Sequence, residues 1–283
     1  MSREYGASRR KRSVWDVVRF LFPYVLMLAG LIGLGYPVAT EMWESYQAQQ
    51  GISRVTGVYG AMNEPERTSV ESEAILYNDA LYHGHDLSER LPYEEQLSFD
   101  NADMISYLSI PKLSIKLPVY HGTDENTLMI GVGHVEGTAL PVGGVGRCVL
   151  AGHSGMPNAR MFDDIHLLEK GDQFVLWTLG KAYAYEVVES VVVLPEETDR
   201  LYPDGEQDLV TLVTCTPYGV NSHRLLVTGK RCEYVEDMEV VPAPEVYFNR
   251  RTIPFLIGMG AILVMFVVNV IWRTRRYLKR RDT

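Results

Sequence analysis

Two long runs without charge, one near each end of the chain, constrain the fold more than any other feature of the sequence. Phe20 to Ala39 and Ile253 to Trp272 each contain 20 residues with no acidic or basic side chain. At a rise of about 1.5 Å per residue, a helix of this length crosses a hydrocarbon core of about 30 Å. We therefore expect two transmembrane helices with a separate domain between them.

Basic residues outside these runs indicate their orientation. Six Lys or Arg precede the first run and six follow the second, whereas Arg250 and Arg251 stand on the inner side of the second run. The positive-inside rule then places both termini in the cytoplasm and residues 40–252 outside the cell membrane. A cleaved signal peptide is the alternative for the first run, although 20 apolar residues exceed a usual signal core and Pro37 is unfavourable there. Either alternative exports the middle of the chain.

The exported part is strongly acidic. Setting aside the twelve terminal bases leaves 15 of the 27 Lys and Arg, against 33 of the 36 Asp and Glu, which gives a net charge of −18. Binding of nucleic acid needs a basic footprint, so we expect no nucleic-acid partner. The terminal bases are better interpreted as topology signals that contact anionic lipid.

Short apolar segments bounded by Gly, Pro or Asp follow one another from Met104 onward. The predicted strands are 107–110, 115–120, 147–151, 173–178, 182–194, 209–215 and 224–228. This spacing is typical of a mainly β domain, either an antiparallel barrel or a sandwich. In this part of the sequence, only residues 161–170 have a helical pattern.

The polar residues before the barrel contain one predicted helix. Thr68 and Glu71 have the spacing of a capping box and are followed by an apolar stripe, so we expect a helix at about 68–82. Glycines upstream, at 51, 57 and 60, are expected to interrupt any long helix. His83 and His85 could suggest a metal site, but without further ligands nearby we expect a solvated turn.

The domain order follows from these segments. We expect a basic tail at 1–19, a membrane segment at 20–39, a helical segment at 40–103, the barrel at 104–235, a stalk at 236–252, a membrane helix at 253–272 and a basic tail at 273–283.

Three cysteines leave two alternatives open. Cys148 and Cys232 could form a disulfide in an oxidising exterior, or both could be small buried hydrophobic residues. Either way Cys215 is left unpaired. It ends the β-rich run TLVTC, and Pro217 and Gly219 terminate that strand.

Two further residues are candidates for the same site as Cys215. Arg224 begins the next predicted strand, and His153 follows an apolar run between two glycines. Thiolate, imidazole and guanidinium at three strand ends would supply a nucleophile, a proton carrier and a stabiliser of acyl-oxygen charge. By spacing alone, ordinary packing or surface pairing explains each residue equally well.

Longer motifs around these residues resemble one family. The stretch from Thr211 to Gly229 reads TLVTCTPYGVNSHRLLVTG, and it resembles the signature of sortases, in particular the pilus-assembling class C. Ala151-Gly152-His153, LPVYHG at 117–122 and Gly133-His134 belong to the same pattern. The resemblance extends over residues 69–231 and implies a closed eight-stranded β-barrel.

The family resemblance also implies an activity. It would make Cys215 the nucleophile, His153 the general acid and base, and Arg224 the stabiliser of the oxyanion and substrate. The thiolate would attack the Thr–Gly bond of an LPXTG-like sorting signal, and a lysine amine of a neighbouring pilin would resolve the thioester into an isopeptide bond. The expected partners are therefore pilins or surface proteins with sorting signals, and no metal or cofactor is expected.

The sequence departs from the family pattern in two places. Class C members usually carry a lid with an Asp-Pro-aromatic tripeptide, whereas the nearest match here is Leu91-Pro92-Tyr93, without the Asp. This tripeptide is either a lid that imitates the Leu-Pro of a sorting signal or an ordinary loop. The second departure is Ser154, where the family often has a basic residue after the histidine.

Other functions stay open at this point. A sortase that attaches surface proteins to peptidoglycan would differ in its acceptor amine, and a membrane-tethered hydrolase would use water. A non-enzymatic extracellular binding or sensing barrel is the alternative from another class. The sequence does not predict an oligomeric state.

Overall fold

The computed structural model describes residues 14–85, 91–98, 104–156, 160–197, 201, 207–235 and 252–279. The chain divides into two compact units, one of residues 1–40 with 246–283 and the other of residues 41–245. The expected stalk lies outside the described residues except for its last position, as do residues 1–13 and 280–283 of the basic tails.

Eight strands form a closed barrel in the larger unit. They are β1 (Met104–Ile110), β2 (Ile115–His121), β3 (Val132–His134), β4 (Gly146–Ala151), β5 (Gln173–Thr178), β6 (Lys181–Val193), β7 (Asp208–Thr216) and β8 (His223–Arg231). Around the barrel their order is β1-β2-β3-β4-β7-β8-β6-β5. The pairs β2–β3 and β4–β7 are parallel, and the other pairs are antiparallel.

Alternating side chains fill the barrel. Cys148 and Leu150 of β4, Leu212 of β7 and Leu225 of β8 are buried in one apolar cluster. Successive side chains of a strand point to opposite faces, so the residues next to each of these four along its strand face outward. Removal of this apolar surface from water is the main force that closes the barrel, at about 25 cal/mol per Å².

The predicted strands are confirmed, with ends that differ by at most three residues. The expectation of purely antiparallel pairing is wrong, because β2–β3 and β4–β7 run parallel. The sequence reading missed β3, which has three residues, and the short helix α3 (Glu125–Ile130) that connects β2 to it. Of the helical pattern at 161–170, the structure forms one 3-10 turn, at Ile165–Leu167.

The expected helix break at the upstream glycines is wrong. Helix α1 (Val14–Ala61) continues through all three of them. Ile52, Val55 and Tyr59 lie on one face of this helix and are buried, and the Tyr59 hydroxyl donates a hydrogen bond to the backbone oxygen of Ile105 at 3.1 Å. Burial of this stripe outweighs a helix cost of about 1 kcal/mol per glycine.

Helix α2 (Glu64–Tyr82) confirms the helix predicted at 68–82 but begins four residues earlier. Its capping box uses Asn63 and Glu66, so the predicted box is wrong. Glu71 instead accepts hydrogen bonds from Lys181 and Tyr183 of β6. The side chain of Asn78 bonds to both backbone groups of Leu140 at 2.7 and 3.1 Å, which holds α2 on the barrel.

The smaller unit contains the apolar helices. Helix α4 (Thr252–Lys279) includes the stretch Ile253–Trp272, which has a mean hydropathy of 2.4 and is the one segment among the described residues long and apolar enough to cross a membrane. The apolar stretch of α1, Leu21–Tyr36, is shorter. The expectation of two spanning helices is therefore supported for the second run and not shown for the first.

We predict that Gly229→Ala destabilises the barrel. A Cβ at this position would lie 2.6 Å from Cζ of Phe174 and 3.0 Å from Cβ of Tyr185. Overpacking of the interior would therefore lower the free energy of unfolding by about 1–3 kcal/mol. Thermal unfolding of the full chain in detergent should show a fall of several degrees in Tm. In the matched control, Gly57→Ala, no atom lies within 4 Å of the new Cβ, and the helix should gain up to about 1 kcal/mol. Equal Tm values for both variants would contradict the packing argument.

Candidate active site

Three strands bring the candidate residues to one end of the barrel. In the parallel pair β4–β7, Ala151 lies opposite Val213, so both strands run toward the same rim. His153 follows two residues after Ala151. Strand β8 starts at this rim, antiparallel to β7, and Cys215 is the direct register partner of Arg224. The structure therefore brings the three sequence-predicted residues to one place.

Cys215 and Arg224 belong to the outer face of the sheet. Cys215 follows Thr214, which is buried, and Arg224 precedes Leu225, which lies in the core. Because side chains alternate along a strand, both candidates point away from the core. Cys215, Arg224 and His153 are each half-buried, so a reactant in solvent can reach them.

Hydrogen bonds hold the His153 segment against β7. The backbone N–H of Gly152 donates to the oxygen of Val213 at 3.0 Å, and the Thr214 hydroxyl donates to the oxygen of Gly152 at 2.7 Å. On the other side, the oxygen of His153 accepts from Phe162 at 3.0 Å. Residue 152 must be glycine, because a Cβ there would lie 2.7 Å from the Phe162 ring. Sequence reasoning named this glycine but gave no role to Thr214.

The β7–β8 turn orients the Arg224 side chain. Its Nη1 donates to the backbone oxygens of His223 at 3.1 Å and Asn221 at 3.3 Å. The turn contains a cis Thr216–Pro217 bond, and Asn221 has a φ of 58°. Nη2 and Nε of a guanidinium carry three further N–H donors, which can bind an oxygen that develops negative charge.

This arrangement suits covalent acyl transfer. A thiolate attacks carbonyl carbons, imidazole exchanges protons near neutral pH, and guanidinium keeps its charge at all accessible pH values. Among the described residues, no group of three or more His, Cys, Asp or Glu side chains could hold a metal ion. The rings of His83 and His85 lie 6.0 Å apart, directly after the end of α2.

Comparison with known proteins decides the family. The model of the Sortase domain matches residues 108–232. The chain is similar to sortase C of Clostridium perfringens solved with the C-terminal cell wall sorting motif, at 40% identity, TM-score 0.61 and coverage of 66% of this chain and 100% of that one. The chain belongs to the sortase family. It is thus a cysteine transpeptidase, which excludes a binding barrel without catalysis.

Two other relatives support this assignment. Sortase C1 of GBS pilus island 1 is 35% identical, with a TM-score of 0.62 and coverage of 67% of this chain and 94% of that one. Sortase A of Bacillus anthracis is 28% identical over 219 residues, which are 77% of this chain and 95% of that protein. The structural neighbours of this sortase therefore include class C members.

The three cysteines of this sortase differ in accessibility. All three are free, so the alternative of a Cys148–Cys232 disulfide is wrong in this structure. Cys148 is buried in the core, and burial raises the pKa of its thiol. Burial also raises the pKa of Cys232. Since thiolate is the reactive form, burial makes Cys148 and Cys232 less reactive than ordinary thiols.

The aromatic residue of the lid candidate is hydrogen-bonded to the barrel wall. Leu91 and Pro92 are half-buried, whereas Tyr93 is buried. The Tyr93 hydroxyl lies 2.8 Å from Nδ1 of His134 and accepts from the backbone N–H of Gly122 at 3.0 Å. These contacts attach Tyr93 to β2 and β3, whereas Cys215 and Arg224 lie on β7 and β8.

His134 is a buried neutral imidazole. Its Nε2 lies 2.9 Å from the backbone oxygen of Ala139, which can only accept, so Nε2 carries the proton. Nδ1 then accepts from the Tyr93 hydroxyl. Burial lowers the pKa of His134 to about 4. His134 therefore has a structural role, whereas His153 lies at the rim with Cys215 and Arg224.

The depressed pKa of His134 predicts a loss of stability in acid. Between pH 6.5 and about 4, an unfolded histidine binds a proton that the folded one does not. The free energy of unfolding should therefore fall by up to about 1.4 kcal/mol per pH unit across this window. Urea titrations of wild type and His134→Gln at several pH values measure it, and His166→Gln, which removes an exposed ring, is the control. The same pH slope in wild type and His134→Gln would contradict the assignment.

Proposed function

We propose that this sortase is a membrane-anchored pilin polymerase. It cleaves LPXTG-like sorting signals at the Thr–Gly bond through a thioester on Cys215 and transfers the acyl group to a lysine of the next pilin. The pairing of Cys215 with Arg224 across β7 and β8, beside the segment of His153, is the observation that carries the proposal. A relative solved with a C-terminal cell wall sorting motif supports the substrate class.

The first half-reaction forms the thioester. The Cys215 thiolate attacks the threonine carbonyl, and the Arg224 guanidinium stabilises the charge that develops on its oxygen. Protonated His153 donates a proton to the glycine nitrogen as the C–N bond breaks. Cys215 then carries the acyl group, and the C-terminal part of the sorting signal leaves with a free amine.

The second half-reaction resolves the thioester. Neutral His153 accepts a proton from the lysine amine while the nitrogen attacks the thioester carbonyl. The isopeptide C–N bond forms, the C–S bond breaks, and the thiolate of Cys215 is regenerated. Arg224 cannot take this proton, because a guanidinium does not deprotonate at physiological pH.

The structural neighbours support the choice of a pilin lysine as acceptor. One neighbour at 35% identity comes from a pilus island, and several others are sortases C. Attachment to peptidoglycan is the second candidate, since the relatives also include sortases A. The two functions use the same thioester and differ in the amine that resolves it.

We also propose that the enzyme passes the membrane twice, with residues 40–252 outside. The apolar stretch of α4 supports the second span, and Leu21–Tyr36 of α1 is the proposed core of the first. Six basic residues outside each run favour cytoplasmic termini. This topology places the catalytic rim on the side where sorting signals are exposed.

The thioester tests the proposal. The full chain in detergent, incubated with an LPXTG peptide, should give a hydroxylamine-sensitive acyl adduct on Cys215, located by peptide mass spectrometry. Cys215→Ala should abolish the adduct, whereas Cys232→Ala should keep near wild-type activity, because Cys232 follows the other end of β8. Addition of a pilin with a reactive lysine should convert the adduct into an isopeptide product. An adduct resolved only by water or by a cell-wall amine would overturn the pilin assignment.

The lid hypothesis for Leu91-Pro92-Tyr93 stays a prediction. Deletion of this segment would also remove the buried hydroxyl of Tyr93, so the double variant Leu91→Ala with Pro92→Ala is the sharper test. If these residues cover the site, peptide cleavage should accelerate several-fold with unchanged Tm. Ser98→Ala, on the exposed part of the same segment, is the control. An unchanged rate of peptide cleavage by the double variant would contradict the lid hypothesis and support an ordinary loop.

A further inference from the structure

Ser154, the residue after His153, is hydrogen-bonded to Cys215, whose thiol is the proposed nucleophile. The hydroxyl of Ser154 donates to the backbone oxygen of Cys215 at 2.6 Å, across 61 positions of sequence. Such a length is short within the usual range for O–H···O bonds. A hydrogen bond thus joins the residue next to His153 to the backbone of the residue proposed as the nucleophile.

This bond stands where the strand pairing of β4 ends. The register of β4 and β7 extends to Ala151 and Val213. Beyond it, Gly152 still donates to Val213, and the hydroxyls of Thr214 and Ser154 then bond to backbone oxygens of the opposite segment. Side-chain hydroxyls therefore continue the attachment of the two segments past the last paired residues.

A second contact fixes the far side of Ser154. The backbone N–H of Gly155 donates to Oδ1 of Asp163 at 2.6 Å, and the Asp163 residue is 7% exposed. Gly155 has a φ of +83°, where a residue with a Cβ would be strained. The backbone on both sides of Ser154 is thus hydrogen-bonded to other segments, through Gly152 on one side and Gly155 on the other.

We propose that Ser154 is a positioning residue of the transpeptidation centre. Its hydroxyl bond to Cys215 keeps the imidazole of His153 at a constant separation from the thiol in both half-reactions. The inference rests on the proposed function and extends it to a residue that touches neither substrate nor the reacting atoms. Misplacement of a catalytic group by about 1 Å can lower a rate about a hundredfold, whereas one half-exposed neutral hydrogen bond adds little to folding stability.

The test distinguishes the effect of the Ser154 hydroxyl on activity from the effect of side-chain shape. Threonine keeps an Oγ at this position, and valine has the same shape with a methyl group in its place. We expect Ser154→Val to lower kcat of peptide transfer by about 10- to 100-fold with KM within about twofold, and Ser154→Thr to retain kcat within about threefold. Ser72→Ala is the control, because it removes a similar hydroxyl-to-carbonyl bond from α2.

A second measurement reports on the relative position of the His153 imidazole and the Cys215 thiol. The rate of Cys215 alkylation by iodoacetamide, measured against pH and located by peptide mapping, reports how closely the imidazole and thiol are coupled. We expect Ser154→Val to change this profile, while Ser154→Thr and Ser72→Ala keep it. The Tm of each variant separates loss of geometry from loss of folding.

Failure of the positioning role and failure of the proposed function are distinguishable in this design. If wild type forms the thioester but Ser154→Val has the kcat and alkylation profile of wild type, the positioning role is overturned and the proposed function stands. A decrease of kcat that is equal in the threonine and valine variants would also overturn it, since the hydroxyl would then be irrelevant. If wild type itself forms no thioester, the proposed function fails instead.

Discussion

The parallel pairing of β4 with β7 is the interaction on which the site depends. It joins two segments about sixty residues apart and aligns Ala151 with Val213, so that His153 and Cys215 emerge at one rim. Side chains alternate with a period of two, and a slip of one residue would turn Cys215 into the core and a core leucine outward. The buried faces of both strands oppose such a slip, because each would expose apolar residues that now lie in the cluster. The placement of these candidate residues is thus a consequence of how the barrel is filled.

Polar contacts, more than apolar ones, determine where the preceding helices and loop attach. Tyr59 and Tyr93 each direct a side-chain polar group to a backbone or imidazole partner in the barrel wall, and Asn78 bonds to Leu140 in the loop between β3 and β4. Apolar burial is nearly indifferent to small sliding motions, whereas a buried hydrogen bond is lost when its partners shift by an ångström. Such bonds therefore fix the registration of α1, α2 and the loop after them on the barrel.

The parts of the fold that sequence reasoning found are those encoded locally. Alternation and turn residues suffice for β7 and β8, and the eight residues between Cys215 and Arg224 form a connection short enough to predict their juxtaposition. The three-residue β3 carries too few positions for a period to appear, and in α1 tertiary burial of Ile52 and Val55 overrides the glycines. The hydrogen bonds of Ser154 and Tyr93 join segments distant in sequence, and no local sequence pattern predicts them.

Closure of the barrel has a consequence for how a peptide can be read. Each strand pairs with a neighbour on both sides along at least part of its length, and in those parts a peptide cannot add itself as an extra strand to an open sheet edge, a common mode of peptide recognition. Under the proposed function, discrimination there depends on pockets for individual side chains and on isolated donors such as the Arg224 guanidinium. An enzyme built this way would read a brief tag in an otherwise arbitrary polypeptide, which would permit one catalyst to serve many different client proteins.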